Sequence, residues 1–142
     1  IGEISGTRDR VAELMRTGRP IASADALALG LVSELVEGDV CARAVAIARE
    51  LASGKRARPA PQSGPMRDVP ATLPAVEIGH RSKAVDSILC RAILDGCRTK
   101  LADGIALEAK CFGEVCGTKD MRIGVENFMK NGPRSKASFV HA

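Results

Sequence analysis

Residues 107–142 read LEAKCFGEVCGTKDMRIGVENFMKNGPRSKASFVHA, and this stretch decides the fold class because helical apolar spacing alternates in it with residues that stop helices. Asp103, just upstream, is placed to cap a helix carrying Leu107, Cys111 and Phe112 on its inner side, and Gly117 stops it. Thr118 then caps a second helix, with Asp120 at the positive end of its dipole and Met121, Val125, Phe128 and Met129 as its stripe. Asn131, Gly132 and Pro133 end that helix, and residues 134–142 follow as a basic, extended tail. The chain holds three phenylalanines and no Trp or Tyr. Phe112, Phe128 and Phe139 are its only large rigid apolar groups, so packing in this region is expected to lean on them.

Working back from this stretch, Ser82 opens what reads as the longest helix, to about Lys100, with Val85, Ile88, Leu89, Ala92 and Ile93 on one face. Residues 53–79 before it hold five of the seven prolines, so neither a helix nor a central strand persists there. A solvated, extended connection is expected; a phosphate-binding loop built on Lys55, Arg56, Arg58 and Arg67 is the sharper alternative. Further upstream, Asp39 caps a helix striped by Val40, Ala44, Ile47, Ala48 and Leu51, after an irregular passage over 31–36. Ser23 is placed to cap a short helix over 24–29 that Gly30 closes in the left-handed conformation. Residues 7–16 form an amphipathic helix with Val11, Leu14 and Met15 behind Ile4, ended by Gly18 and Pro20. The expected organisation is a helical segment over 1–52, a proline-rich linker over 53–79 and a helical segment over 80–142. The fold class is mainly α.

Composition removes several functions. The net charge of +4 arises from 21 Lys and Arg scattered among 17 Asp and Glu, and no Trp or Tyr offers a stacking platform, which argues against nucleic acid as a partner. Cys41, Cys90, Cys97, Cys111 and Cys116 form no C-x-x-C pair, and His80 and His141 are too far from them for a zinc site, so no metal is expected. Reduced core cysteines are expected instead, with Cys90 and Cys97 on one helix face. No run approaches the roughly 18 apolar residues of a membrane span, and no signal peptide is legible, so a cytoplasmic location is expected. A chain opening at Ile1 without a methionine is expected to be processed or partial. Catalytic constellations are missing too: His141 stands at a terminus expected to fray, and Glu108, Glu114 and Glu126 sit on solvated helix surfaces. Gly2, Gly6 and Thr7 lack the lysine of a phosphate loop.

Two passages carry a family resemblance. TGRPIASADALALGLVSELV, residues 17–36, resembles the "TGR, small residue, A, A, GLV, VV" passage of the crotonase superfamily, the enoyl-CoA hydratases and isomerases. LEAKCFGEVCGTKDMRIGVENFMKNGPRSK, residues 107–136, is similar to that family's closing passage, where an acidic aliphatic helix leads into a "T, acidic, D, G, F" helix and a basic tail. The proline-rich linker departs from the compact hydratases. The resemblance implies a ββα spiral followed by helices that mediate trimerisation, an acyl-CoA substrate with coenzyme A as part of it, and no separate cofactor. It also implies two backbone amides forming an oxyanion hole for a thioester enolate, with one or two carboxylates moving the proton.

In the family those amides and carboxylates lie upstream of the passage matching 7–18, so the resemblance assigns this chain to the C-terminal half alone. The chain by itself then lacks the catalytic machinery, and its partners are the missing N-terminal half and further copies in a trimer or hexamer. Glu3 is the sole acid near the position of interest. Phe112 matches an aromatic that lies against the bound acyl-CoA, and Lys130 falls within one residue of a lysine near the CoA phosphates. Gly30, Leu31 and Val32 match a structural passage, a helix stop plus core. The alternative reading is a non-catalytic oligomerisation module or inactive paralogue that keeps the packing surfaces.

Overall fold

A computed structural model of the chain describes residues 5–58, 60 and 63–142. Among them are six α-helices and no strand, in keeping with the mainly α reading: α1 (Ser5–Thr17), α2 (Ser23–Ala28), α3 (Val40–Ala52), α4 (Lys83–Cys97), α5 (Leu101–Cys116) and α6 (Lys119–Asn131). They divide into two compact units. One holds the described residues up to Arg19 together with Ser63–Ala142, and the other holds the described residues of Pro20–Gln62.

In the first unit α4 is the central element: α5 lies along it, and α1 and α6 pack on it as well. Its start is as the sequence indicates, with the Ser82 hydroxyl accepting a hydrogen bond from Val85 N at 3.2 Å. Its end is earlier than the expected Lys100. Arg98 N and Thr99 N turn back onto Asp95 O and Gly96 O, and the Thr99 hydroxyl also donates to Gly96 O at 2.9 Å. α5 therefore starts at Leu101 behind Lys100, and Asp103 lies in its first turn instead of capping it. The carboxylate still favours the helix through its dipole. With 16 residues α5 is one longer than α4, so α4 is not the longest helix. Thr118 does cap α6, accepting from Met121 N at 3.1 Å, and Gly132 closes it at φ 80°, a conformation that costs glycine least.

The stretch from Ser63 to Gly79 departs from the solvated connection expected of it. Proline denies it a helix or a ladder, yet Met66, Val69, Leu73 and Val76 are half-buried and Ile78 is buried, an apolar residue every two to four positions. Its free backbone groups find partners on the helices: Met66 N donates to Cys97 O at 2.8 Å and Ser63 O accepts from Leu101 N at 2.9 Å. Arginines take the carbonyls of Pro70 (Arg98, 2.7 Å), Pro74 (Arg16, 2.7 Å) and Glu77 (Arg19, 3.3 Å). The segment is a strap bound across α1 and α4.

The second unit is built on α2 and α3. Ser23 begins α2 and does not cap it: the capping position falls on Ala22, which has no side-chain bond to offer. Gly30 closes the helix at φ 71°, and Asp39 caps α3 by accepting from Ala42 N at 3.0 Å, both as the sequence indicates. Beside α3, Glu34 takes two hydrogen bonds from Arg43, at 2.6 and 3.0 Å, and both Glu34 and Glu50 lie within 4 Å of Arg56. Those bonds hold Glu34 below the usual carboxylate range. Arg56 is thus committed to acids of its own unit, which removes it from a phosphate loop. The stripe of α3 is left open, with Val40, Ala44 and Ala48 exposed and Ile47 and Leu51 half-buried.

Packing does not lean on the phenylalanines. Phe112 is 63% exposed and Phe128 55%, and only Phe139 is half-buried, its ring against Gly124. The reason is angular: α5 turns Gly104, Leu107, Cys111 and Val115 inward, and Phe112 falls about 100° around the helix from Cys111. The buried apolar residues among those described are Ala12, Ile78 and Cys111. All five cysteines are free, but Cys41 and Cys116 are exposed, so core placement holds only for Cys111 and in part for Cys90 and Cys97.

Candidate functional site

The first unit opens a groove of about 370 Å³ along α4 and α6. Val85 and Leu89 of α4 form one wall, Met121, Val125 and Phe128 of α6 the other, and Phe139 of the tail joins them. The helix periods that leave these side chains on facing sides also leave Phe128 and Val125 largely exposed. A second hollow of about 260 Å³ lies between α1, α4 and the strap, with Met15, Met66, Leu73 and Ile93 among its lining.

Two acids border the groove, and both are held. Asp86 receives Arg16 in a two-pronged pair, Nε to Oδ1 at 2.9 Å and Nη2 to Oδ2 at 2.8 Å. The bond to Asp86 raises the Arg16 pKa above its ordinary value, against the opposing effect of burial. Cys90, a turn further on, lies 3.8 Å from Asp86. Burial pushes its thiol up, Asp86 adds to that, and Arg16 works the other way.

Asp120 is the second acid and is fully buried. It accepts from the Ser82 hydroxyl at 2.5 Å, from Val140 N at 2.8 Å and from His141 N at 3.3 Å, and His141 Nδ1 lies 3.1 Å away. Burial pushes this carboxyl up, but the bonds from Ser82, Val140 and His141 outweigh it and hold it below the ordinary aspartate range. The terminus is therefore docked, not frayed: His141 O also accepts from Lys83 N at 2.6 Å, and Ala142 O from Lys83 Nζ at 3.0 Å. The sequence identifies Asp120 as a dipole residue and Ser82 as a cap. The second role of each, joining the starts of α4 and α6 to the tail, has no local signal.

The residues singled out from the sequence are dispersed. Phe112 stands exposed on α5 and Lys130 exposed in the last turn of α6, and neither lines the groove or the hollow. Glu3, Gly2 and Ile4 lie outside the described residues. Glu108, Glu114 and Glu126 are exposed as expected, Glu114 in an ion pair with Arg91. No group of three or more His, Cys, Asp or Glu fit to hold a metal occurs among the described residues. None of their helices is long and apolar enough to cross a membrane. Comparison with known proteins finds no matching family model, no matching curated protein and no matching solved structure. The geometry offers an apolar channel with a few polar groups at its edge, the usual make-up of a small-molecule site. Its two acids are occupied by an arginine and by a cage of donors, so the groove is suited to binding more than to proton transfer.

Proposed function

We propose that this chain is the C-terminal helical segment of an enzyme of the enoyl-CoA hydratase/isomerase type, acting on acyl-CoA thioesters. It completes the substrate pocket and supplies an oligomer contact, while the oxyanion hole and the carboxylates that move the proton come from the missing half of a ββα spiral. One observation carries this reading. Fourteen large apolar side chains are exposed among the described residues, where only Ala12, Ile78 and Cys111 represent a buried apolar core. Exposed apolar faces of this kind mark surfaces that another body covers.

In this reading the groove of α4 and α6 takes the acyl chain and exposed Lys130, on α6, stands toward the CoA phosphates. Phe112, exposed on the flank of α5, belongs to the assembly contact. Calorimetric titration of the chain with decanoyl-CoA, hexanoyl-CoA and free CoA tests it. Binding that tightens with acyl length and weakens in Phe128→Asp supports the reading; equal heats with free CoA, or none with any of the three, overturn it. The second reading, an oligomerisation module without thioester chemistry, is favoured by α5, which leaves Leu101, Ile105 and Phe112 exposed.

A further inference from the structure

Two arginines line the groove of α4 and α6, Arg16 and Arg81, and their guanidinium groups are used differently. Arg16 presents the fork of Nε and Nη2 to Asp86, which fills it. Arg81 has the same fork with no carboxylate on it. Gly79, at φ 66°, makes the turn before the half-buried Arg81 side chain, whose Nη1 donates to Ile78 O at 2.9 Å. That bond anchors the group and uses one of its N–H donors. Among the described residues Nε and Nη2 have no partner, and Arg81 joins no ion pair. Neither acid bordering the groove is free to serve it: Asp86 holds Arg16, and Asp120 is fully buried among its own donors. An anchored guanidinium with its fork open is the geometry that receives a carboxylate through two parallel hydrogen bonds.

The walls say what that carboxylate is attached to. Beyond Arg81 the groove is lined by Val85 and Leu89 on one side and by Met121, Val125 and Phe128 on the other. Ser82, bonded to Asp120, holds the starts of α4 and α6 together at the Arg81 end. The rise along α6 from Asp120 to Phe128 is about 12 Å, a span that a medium-length alkyl chain covers. Lys130 follows Phe128 in the last turn of α6, so the two cations stand toward opposite ends of the channel. We infer that this groove is specific for the CoA monothioester of an aliphatic dicarboxylic acid. The CoA end lies toward Lys130, the methylenes lie between α4 and α6, and the far carboxylate closes on Nε and Nη2 of Arg81. A plain acyl chain ends there in a methyl group and leaves the guanidinium to water. This specificity deepens the function proposed above and rests on its acyl-CoA reading; preference between two thioesters and binding of thioesters at all are separate readouts, so the two can fail separately.

Calorimetric titration of the full 142-residue chain with decanoyl-CoA and with the CoA monothioester of decanedioic acid, which carries a carboxylate in place of the terminal methyl, tests it. The dicarboxylic thioester is expected to bind about tenfold more tightly, as a two-pronged charge-assisted contact allows. In Arg81→Gln the order reverses, because the groove then takes up a carboxylate with no cation to meet it, while decanoyl-CoA stays within about twofold of its native constant. Arg81→Lys keeps the charge but loses the fork, and its preference falls to about threefold or less. Far-UV circular dichroism checks that each variant stays helical; should Arg81→Gln fail to fold, the native preference and its decline in Arg81→Lys decide. Decanoyl-CoA bound as tightly as its dicarboxylic counterpart, or a preference that either substitution leaves unchanged, overturns the role of Arg81 and leaves the acyl-CoA reading intact. No binding of either thioester overturns both.

Discussion

Replacing Asp86 by alanine isolates the least exposed arginine–carboxylate pair among the described residues. Arg16 and Asp86 keep only 10% and 15% of their side-chain surface, and two charge-assisted hydrogen bonds join α1 to α4. Without Asp86 the half-buried guanidinium keeps only Pro74 O and the Cys90 thiol as partners. Breaking a buried pair by removing one member costs about 3–5 kcal/mol, and the residual exposure here argues for the lower end, about 3 kcal/mol. For a chain of this size that corresponds to a fall in Tm of roughly 10 °C. Removing both charges is different in kind. Arg16→Met with Asp86→Leu leaves no stranded ion, and a chain within about 1 kcal/mol of the native one is expected. Urea and thermal unfolding followed by circular dichroism, on both single variants and the pair, give the coupling directly. A loss below about 1 kcal/mol in Asp86→Ala, or a double variant no more stable than the single, refutes the reasoning.

The same substitution has a chemical consequence at Cys90. Asp86 helps hold that thiol up and Arg16 opposes it, so Asp86→Ala leaves the cation unopposed and Cys90 is expected to alkylate with iodoacetamide faster than in the native chain, with exposed Cys41 and Cys116 as internal references. Asp120 sets an acid limit on the tail. Its folded pKa lies below the unfolded value of about 3.9, so its contribution is complete above that value and is lost as pH falls through the folded one. Amide protection factors at Val140 and His141, each referred to the intrinsic exchange rate at that pH, should be flat from neutral pH to about 5 and fall only below about 4, and in Asp120→Asn they should be low throughout; protection that survives both changes would falsify the docking argument. Gly104 and Gly96 give a matched pair. A methyl at Gly104 meets Gly96 O at 3.2 Å and Thr99 Oγ1 at 3.3 Å, whereas one at Gly96 meets nothing within 4 Å. Gly96→Ala is expected to raise stability by up to about 1 kcal/mol and Gly104→Ala to lower it, both read from urea midpoints.

What the sequence made legible were the local features. Asp39, Ser82 and Thr118 cap their helices because a side-chain oxygen one residue before a helix finds the orphan amides of the first turn, whatever lies further off. Gly30 and Gly132 close theirs for an equally local reason, a positive φ. The misreadings at Ser23 and Asp103 are of a single kind. Each has a capping residue type, and each was displaced by the turn before it, which starts the helix early: Ala26 N already bonds to Ala22 O, and Gly104 N to Lys100 O. The strap was illegible because proline content reports which regular structures a segment cannot form, not whether irregular backbone is bound. Its apolar residues at 66, 69, 73, 76 and 78 were the available signal, and the arginines that take its carbonyls stand up to 58 residues away in the chain.

The stripes expose the deeper limit. Periodicity locates an apolar face without naming what covers it, and on α6 the face formed by Val125, Phe128 and Met129 emerges as expected yet remains 47%, 55% and 78% exposed. The same holds for α3 and for the outer side of α5. Had these faces found partners among the described residues, Phe112 and Phe128 would be core. Instead half of the buried residues among those described are polar groups with strong partners: Thr17 bonded to Glu13 O, Ser82 and Asp120 bonded to each other. Polar joints fix the helix geometry here while apolar faces stay open, and those faces are what the proposed association would cover. The free energy still to be gained lies on α5 and α6, and for that reason oligomeric state and ligand binding, not the fold of the isolated chain, are where its function must be measured.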